Sequence, residues 1–142
     1  MLTQRARYGL KAALHLAALQ GEAPIASIAE AIGAPRKFLE AILNDLKGRG
    51  LLDSRRGAGG GYRLAQPAEA ISFADIIRAL DGPLALAPCA SRTAYRPCAD
   101  CEDVETCEIR PALLAARDAI SDVLESTTLA DPGRAAQMIA KM

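Results

Sequence analysis

Three of the chain's four cysteines fall inside "PCADCEDVETC", residues 97–107, and the fourth, Cys89, stands eight intervening residues before Cys98. Thiolates are soft ligands. A set of four can hold an iron–sulfur cluster of the 2Fe–2S or 4Fe–4S type, or tetrahedral zinc, for which Cys98-x-x-Cys101 is a good knuckle. Without a metal, the same residues can work as a reversible disulfide switch. Burial as small apolar residues is the disfavoured alternative, because the segment has too few large apolar neighbours to cover four cysteines. Asp100, Glu102, Asp103, Glu105 and Glu108 surround the thiols. Close and exposed, they would lower the potential of an anionic cluster; otherwise they are solvated loop charges. A catalytic dithiol would be expected inside a βαβ pattern, which the flanking sequence lacks, so the chain does not read as an enzyme.

What positions this loop follows from composition and charge. The chain has 142 residues, about half of them apolar, enough for one domain or a small domain with an arm. No apolar run approaches the roughly 18 residues of a membrane span, and "MLTQRARYGL" lacks the apolar stretch of a signal peptide. The expectation is a cytoplasmic protein with reduced thiols. The formal net charge of zero hides a division. Residues 1–65 carry ten Lys/Arg against five Asp/Glu, and residues 66–142 carry seven against twelve. A basic first half suits a polyanion, and an acidic second half suits another task.

Periodicity predicts a mostly α-helical chain. Residues 6–19 place Leu10, Ala13, Leu14 and Ala17 on one helical face. "PIASIAEAIG" gives a short second helix, with Pro24 at its first position and Gly33 as its stop. Pro35 opens a third, "PRKFLEAILNDLKGRG", with Phe38, Leu39, Ile42, Leu43 and Leu46 inward and its end marked by Lys47, Gly48, Arg49 and Gly50. "LLDSRR" and "GYRLA" read as strands joined by the turn "GAGG". Three helices, the last two forming a helix-turn-helix, followed by a two-stranded hairpin make a winged helix. "ISFADIIRAL" predicts a fourth helix over 71–80, capped by Ser72 with Asp75 three residues on. Residues 89–107 read as a loop. From about Glu108 to Thr127, the positions Ile109, Leu113, Ala116, Ile120, Val123 and Thr127 form a near-heptad seam, as in a helix lying along a partner; a helix folded back on its own domain is the alternative. Residues 130–142 read as a tail or fraying helix.

The cations then have a physical use. DNA carries one negative charge per roughly 1.7 Å of axis, so the docking surface must be lined with positive charge. Arg36 and Lys37 open the third helix, the end of a recognition helix that meets base edges. Glu40, one turn on, can accept from a cytosine amino group or pair with Arg36 or Lys37. Arg5 and Arg7 are placed for phosphates. In "SRRGAGGGYR", Gly57, Gly59, Gly60 and Gly61 allow φ > 0 and close backbone approach to a phosphate, flanked by Arg55, Arg56, Tyr62 and Arg63. Neither GxxxxGK(S/T) nor a strand–GxGxxG–helix is present, so a nucleotide loop is rejected.

On these residues the chain resembles the Rrf2 family of bacterial winged-helix transcription regulators, in its IscR-, NsrR- and RirA-like form. The stretches that carry the resemblance are "RYGLKAALHLA" (7–17), "IAEAIG" with "FLEAILNDLKGRGLLDSRRGAGGGYRLA" (38–65), "ISFADIIRALDGPL" (71–84) and "DAISDVLESTTLAD" (118–131). The resemblance implies a homodimer on a pseudo-palindromic double-stranded DNA operator. It also implies three units: a winged helix-turn-helix over 1–84, a cysteine-rich cofactor loop over 85–107, and a dimerisation helix with its tail over 108–142. The loop's cysteines would ligate an iron–sulfur cluster that modulates operator affinity, with zinc or a thiol redox switch as the alternative sensor. Two departures bear on the ligands. The gap from Cys89 to Cys101 is longer than the usual first gap, and Cys98 is additional, which suggests the all-thiolate set Cys89, Cys98, Cys101 and Cys107. Arg110 occupies the position of a histidine ligand found in IscR-like proteins, and Arg7 and Lys11 occupy the region from which other members borrow a ligand. His15, one turn further on, is better read as a surface or half-buried residue.

Overall fold

A computed structural model describes residues 2–142. Its elements run α1 (Gln4–Leu19), α2 (Ile25–Ile32), α3 (Arg36–Gly48), β1 (Leu52–Arg55), β2 (Gly61–Leu64), α4 (Phe73–Asp81), α5 (Arg110–Ser126) and α6 (Arg134–Ala140), with 3₁₀ turns at Ala68–Ala70 and Pro88–Ala90. The strands pair antiparallel, Leu52 opposite Leu64 and Arg55 opposite Gly61. This is the winged helix expected from the periodicity.

The core lies among α1, α3 and α4, where Leu16, Leu39, Ile42, Leu43, Leu46, Ile71 and Ile76 are fully buried. The buried face of α1 differs from the one expected. Ala6, Gly9, Ala12, Ala13 and Leu16 are buried, while Leu10, Leu14 and Ala17 are only partly covered. The cause is close helix packing: a Cβ on Gly9 would stand 2.2 Å from Leu80 Cδ1 of α4, so small residues occupy the contact and the leucines flank it. Phe38, expected inward, is 39 % exposed and meets Tyr8 edge to face at 5.8 Å between ring centres. Pro24 and Pro35 occupy the N-caps of α2 and α3 rather than the first helical positions. There they fix an extended entry and leave the orphan N–H groups to the following turn.

Other local signals act as their chemistry dictates. Gly33 ends α2 at φ +69°, the left-handed region that favours glycine. Ser72 caps α4 in a reciprocal box: Asp75 N–H donates to Ser72 Oγ (3.1 Å), and Ser72 N–H donates to Asp75 Oδ2 (2.9 Å). The wing is fastened to the body by a backbone pair, with Ala23 N–H donating to Tyr62 O (3.0 Å) and Tyr62 N–H to Ala23 O (2.8 Å).

Helix α5 begins at Arg110 and lies against α4 and the Pro88–Ala90 turn, and after it the chain returns to the core. Phe73 N–H donates to Thr127 O (2.8 Å), Leu129 N–H donates to Ile71 O (3.0 Å), and Leu129 is buried. Only Ser121 of α5 is buried. The seam is only partly covered: Ile109 is 69 % and Ile120 37 % exposed, Leu113, Ala116 and Val123 are half-buried, and Thr127, at its far end, turns into the core. The tail beyond is helical, as α6. No described helix is long and apolar enough to cross a membrane.

Candidate nucleic-acid interface and thiol centre

Helix α3 and the wing flank one open cleft of about 400 Å³, lined by Glu40, Asn44, Lys47, Arg55, Arg56 and Tyr62. Gly60 also faces it, and Arg36 and Lys37 stand exposed at the open start of α3. Tyr62 joins the two walls by donating its hydroxyl to Asn44 Oδ1 (2.9 Å). Burial, with the charge of Glu40 beside it, raises that hydroxyl above its ordinary 10.0, so it remains a neutral donor at working pH. Lys47 makes a second brace, Nζ to Ser54 Oγ at 2.7 Å.

The arginines have different surroundings. Arg56 is exposed and forms no ion pair among the described residues. Arg55 pairs with Glu22 (3.1 Å) and donates to Gly59 O (2.9 Å), bracing the wing turn with part of its guanidinium. Arg5 is paired with Asp45 of α3, and Arg7 donates to Gln4. Arg63 lies on the opposite side of the wing, on a 780 Å³ groove shared with the end of α1 and Leu129. Gly57 and Gly59 take φ +97° and +78°, and a Cβ on Gly60 would meet Arg55 O at 2.2 Å. Sequence reasoning missed Asn44, Glu22 and Asp45, whose roles depend on cross-element distances. Gly60 and Gly61, expected with the others to take positive φ, do not; Gly61 is needed instead for close packing, since a Cβ there would stand 2.2 Å from Ala23 O.

The four cysteines are free thiols. Cys89, in the Pro88–Ala90 turn, is 3 % exposed, while Cys98, Cys101 and Cys107 are half-buried. Cys89 alone is fully covered, in a segment whose apolar residues were expected to be too few to bury four. Cys98 interacts with Cys89, and the hydrogen bond between them is the largest cause of its raised pKa. Cys101 is raised first by burial and then by the charges of Cys107 and Cys98, with Asp100 adding to both. The influences between thiols thus run from 89 to 98, from 98 to 101 and from 101 to 107. Cys101 N–H donates to Cys98 O (3.1 Å), closing the Cys-x-x-Cys turn. Pairwise neighbourhood is not a closed cage: among the described residues no three cysteine, histidine or carboxylate side chains converge at metal-holding distance. The donor chemistry, four mutually repelling soft thiolates, suits a thiophilic centre that displaces their protons, and closure needs movement of the exposed loop.

Arginines tie the buried end of this loop to α5. Arg110 Nε and Nη2 both donate to Cys89 O (3.3 Å each), and Arg117 Nη1 donates to Ala90 O (2.8 Å). Asp118 accepts from Arg117 (2.7 Å) and from Arg92 (2.6 Å). The hydrogen bond from Arg117, aided by both positive charges, holds the Asp118 carboxyl below its ordinary 3.8. Its stabilising contribution is present above 3.8 and is lost as pH falls through the depressed value. Titration of the Asp118 carboxyl carbon by NMR should give a midpoint under 3.8 in the wild type and a higher one in Arg117→Gln; equal midpoints would remove Arg117 as the cause.

Three comparisons bear on this geometry. The family model described as "Rrf2: Iron-dependent Transcriptional regulator" matches residues 2–132. A putative HTH-type transcriptional regulator rrf2-like of Rhodobacter capsulatus is 40 % identical over 147 residues, covering 100 % of this chain and 98 % of the relative. Among solved structures, CymR, the global cysteine regulator of B. subtilis, superposes with a TM-score of 0.74 at 34 % identity, over 92 % of this chain and 94 % of that one. T. potens IscR does so with a TM-score of 0.73 at 30 % identity, over 100 % and 91 %.

Proposed function

Since the chain belongs to the Rrf2 family of DNA-binding transcriptional regulators, which are not enzymes, we propose that its hold on a pseudo-palindromic operator is set by an iron–sulfur cluster on Cys89, Cys98, Cys101 and Cys107. The observation that carries this is the gathering of four neighbouring thiols at the root of α5, a helix whose apolar seam is only partly covered within the protomer. Residues 1–84 form the DNA-binding unit, 85–107 the sensing loop, and 108–142 the dimer helix and its tail. The cytoplasm, where both operator and reduced thiols are found, is the working compartment.

In the dimer, two α5 helices lie together and two α3 helices present Arg36, Lys37 and Glu40 to successive major grooves. Arg5, Arg7, Arg56 and Arg63 supply phosphate contacts, and Gly57, Gly59 and Gly60 let the wing backbone approach the strand. Arg55 and Tyr62 keep the wing aimed. When bound, the cluster supplies a centre whose oxidation or loss changes the charge and ligation of the loop. The loop then selects between arrangements of α5, and the preference reaches DNA only as a difference in affinity between the two states.

A second reading is favoured by the pairwise disposition of the sulfurs, 89 beside 98 and 101 beside 107, without a closed cage. Here two dithiols are the sensor, and no metal is needed. The role of CymR as the global cysteine regulator of B. subtilis fits this reading, as the IscR neighbour fits the first. Anaerobic purification followed by iron, acid-labile sulfide and zinc analysis separates them. Iron and sulfide in equal amounts, lost in Cys101→Ala, are expected. Zinc without sulfide, or metal-free protein with operator affinity changed by a disulfide-forming oxidant, would replace the cluster. In either case log affinity should fall with log salt at a slope of about −0.9 per phosphate neutralised; a flat line would remove DNA binding itself.

A further inference from the structure

We infer that Arg117, seconded by Arg110, is the positioning residue that passes the state of the cysteine loop to α5. The inference rests on the sensing reading above and adds the physical route by which the thiols act.

Within the loop, the only contiguous buried stretch is Cys89, Ala90 and Ser91; the segment from Arg92 to Pro97 is exposed throughout. Every side-chain hydrogen bond between the loop and α5 among the described residues starts from or ends on 89–92. Arg110 and Arg117 are seven residues apart, two turns along one face of α5, and they hold consecutive peptide carbonyls, those of Cys89 and Ala90. The Arg117 side chain is 14 % exposed. Its planar fork is divided between Ala90 O at 2.8 Å and Asp118 Oδ1 at 2.7 Å, so it cannot follow one partner without straining against the other.

The sulfurs therefore reach α5 at two points. Cys107 is joined to the start of the helix by the peptide chain through Glu108 and Ile109, both exposed. Cys89 is joined two turns further along, through its neighbour Ala90 and the Arg117 guanidinium. A change that draws the sulfurs together or releases them then acts on α5 as a couple about these two points. With the Arg117 contact gone, α5 is held at its start by the peptide link and the 3.3 Å bonds from Arg110 to Cys89 O. Further along it is held only by the exposed Arg92–Asp118 pair, which is worth little in water, so the exposed linker can absorb the movement. The histidine position of IscR-like proteins is thus occupied by a cation that holds the backbone of a ligand instead of contributing one.

The test uses the full-length protein with and without reconstitution by ferrous iron and sulfide under reducing anaerobic conditions. Operator affinity is measured in both states for wild type, Arg117→Gln and Arg117→Lys, and hydrogen exchange of the α5 amides is followed in parallel. Wild type should show a state ratio in the usual range for coupled sites, about 5–150-fold. Arg117→Gln should bring that ratio to within about twofold of unity on the same scale, with iron content and the affinity of the metal-free form unchanged. Filling the thiols should alter α5 exchange in wild type and leave it unaltered in Arg117→Gln. Arg117→Lys, which restores one donor, should recover part of the ratio. A wild-type ratio in Arg117→Gln overturns the inference and leaves the sensing reading intact. So does a ratio that falls only because metal-free affinity falls equally, the mark of a merely structural residue. A wild-type ratio of one overturns both, and the wild-type measurement alone reveals it.

Discussion

Ile120→Glu yields a folded monomer whose operator affinity is about 10²–10⁴-fold weaker, the factor lost when two linked binding modules become independent. Ile120 sits on the α5 seam with Leu113, Ala116 and Val123 and is 37 % exposed in the protomer, so the substitution opens no cavity in the core. In a two-fold dimer the same patch faces its own copy. A carboxylate there must leave water without a counter-charge and approach an identical one, which is costly on both counts. Each protomer keeps its α3 and wing, so half-site binding persists with about half the salt slope, since half the phosphates are contacted. Sedimentation velocity and operator titration over a salt series measure the two effects. A variant that sediments as a dimer and binds normally would take α5 out of the dimer contact.

How much of this was legible in the sequence depended on whether a residue's role is local. Ser72 and Asp75 cap α4 because their spacing within one turn suffices, and Gly33 ends α2 because its missing Cβ tolerates φ +69°. The winged-helix order follows from the period change at residue 52 and the glycine run after it. The α1 face was misread because periodicity weighs leucine over alanine, whereas crossing α4 at Gly9 selects for smallness. Phe38 was read inward from its spacing, but Tyr8 offers it a partner at the surface. Arg55 looked like a free phosphate contact until Glu22, 33 residues earlier, was brought beside it. The cysteine spacing announced a thiol site, but only the fold shows Cys89 buried against α5 and held there by Arg110 and Arg117.

Gly61 gives the sharpest test of how the wing is aimed. A Cβ at this position would stand 2.2 Å from Ala23 O, 2.4 Å from Ala23 C and 2.7 Å from Pro24 N, all backbone atoms that cannot rotate aside. Gly61→Ala must push β2 off the connector between α1 and α2, breaking the pair of backbone bonds between Ala23 and Tyr62. The bond from Tyr62 to Asn44, which sets the wing against α3, is lost with them. Overpacking costs about 1–3 kcal/mol and each lost hydrogen bond roughly 0.5–1.5 kcal/mol net, so a loss of about 2–4 kcal/mol is expected after partial relaxation. Gly59→Ala is the control: it takes φ +78° with nothing within 4 Å, and strain alone costs about 1–2 kcal/mol. Urea titration should rank Gly61→Ala below Gly59→Ala. Operator affinity should fall by about 10-fold or more in Gly61→Ala, the equivalent of about 1.4 kcal/mol, while the helical signal of α1, α3 and α4 persists. Equal midpoints and unchanged affinity would mean that the wing is not held at Ala23, and that its aim does not depend on the close backbone approach that only glycine permits.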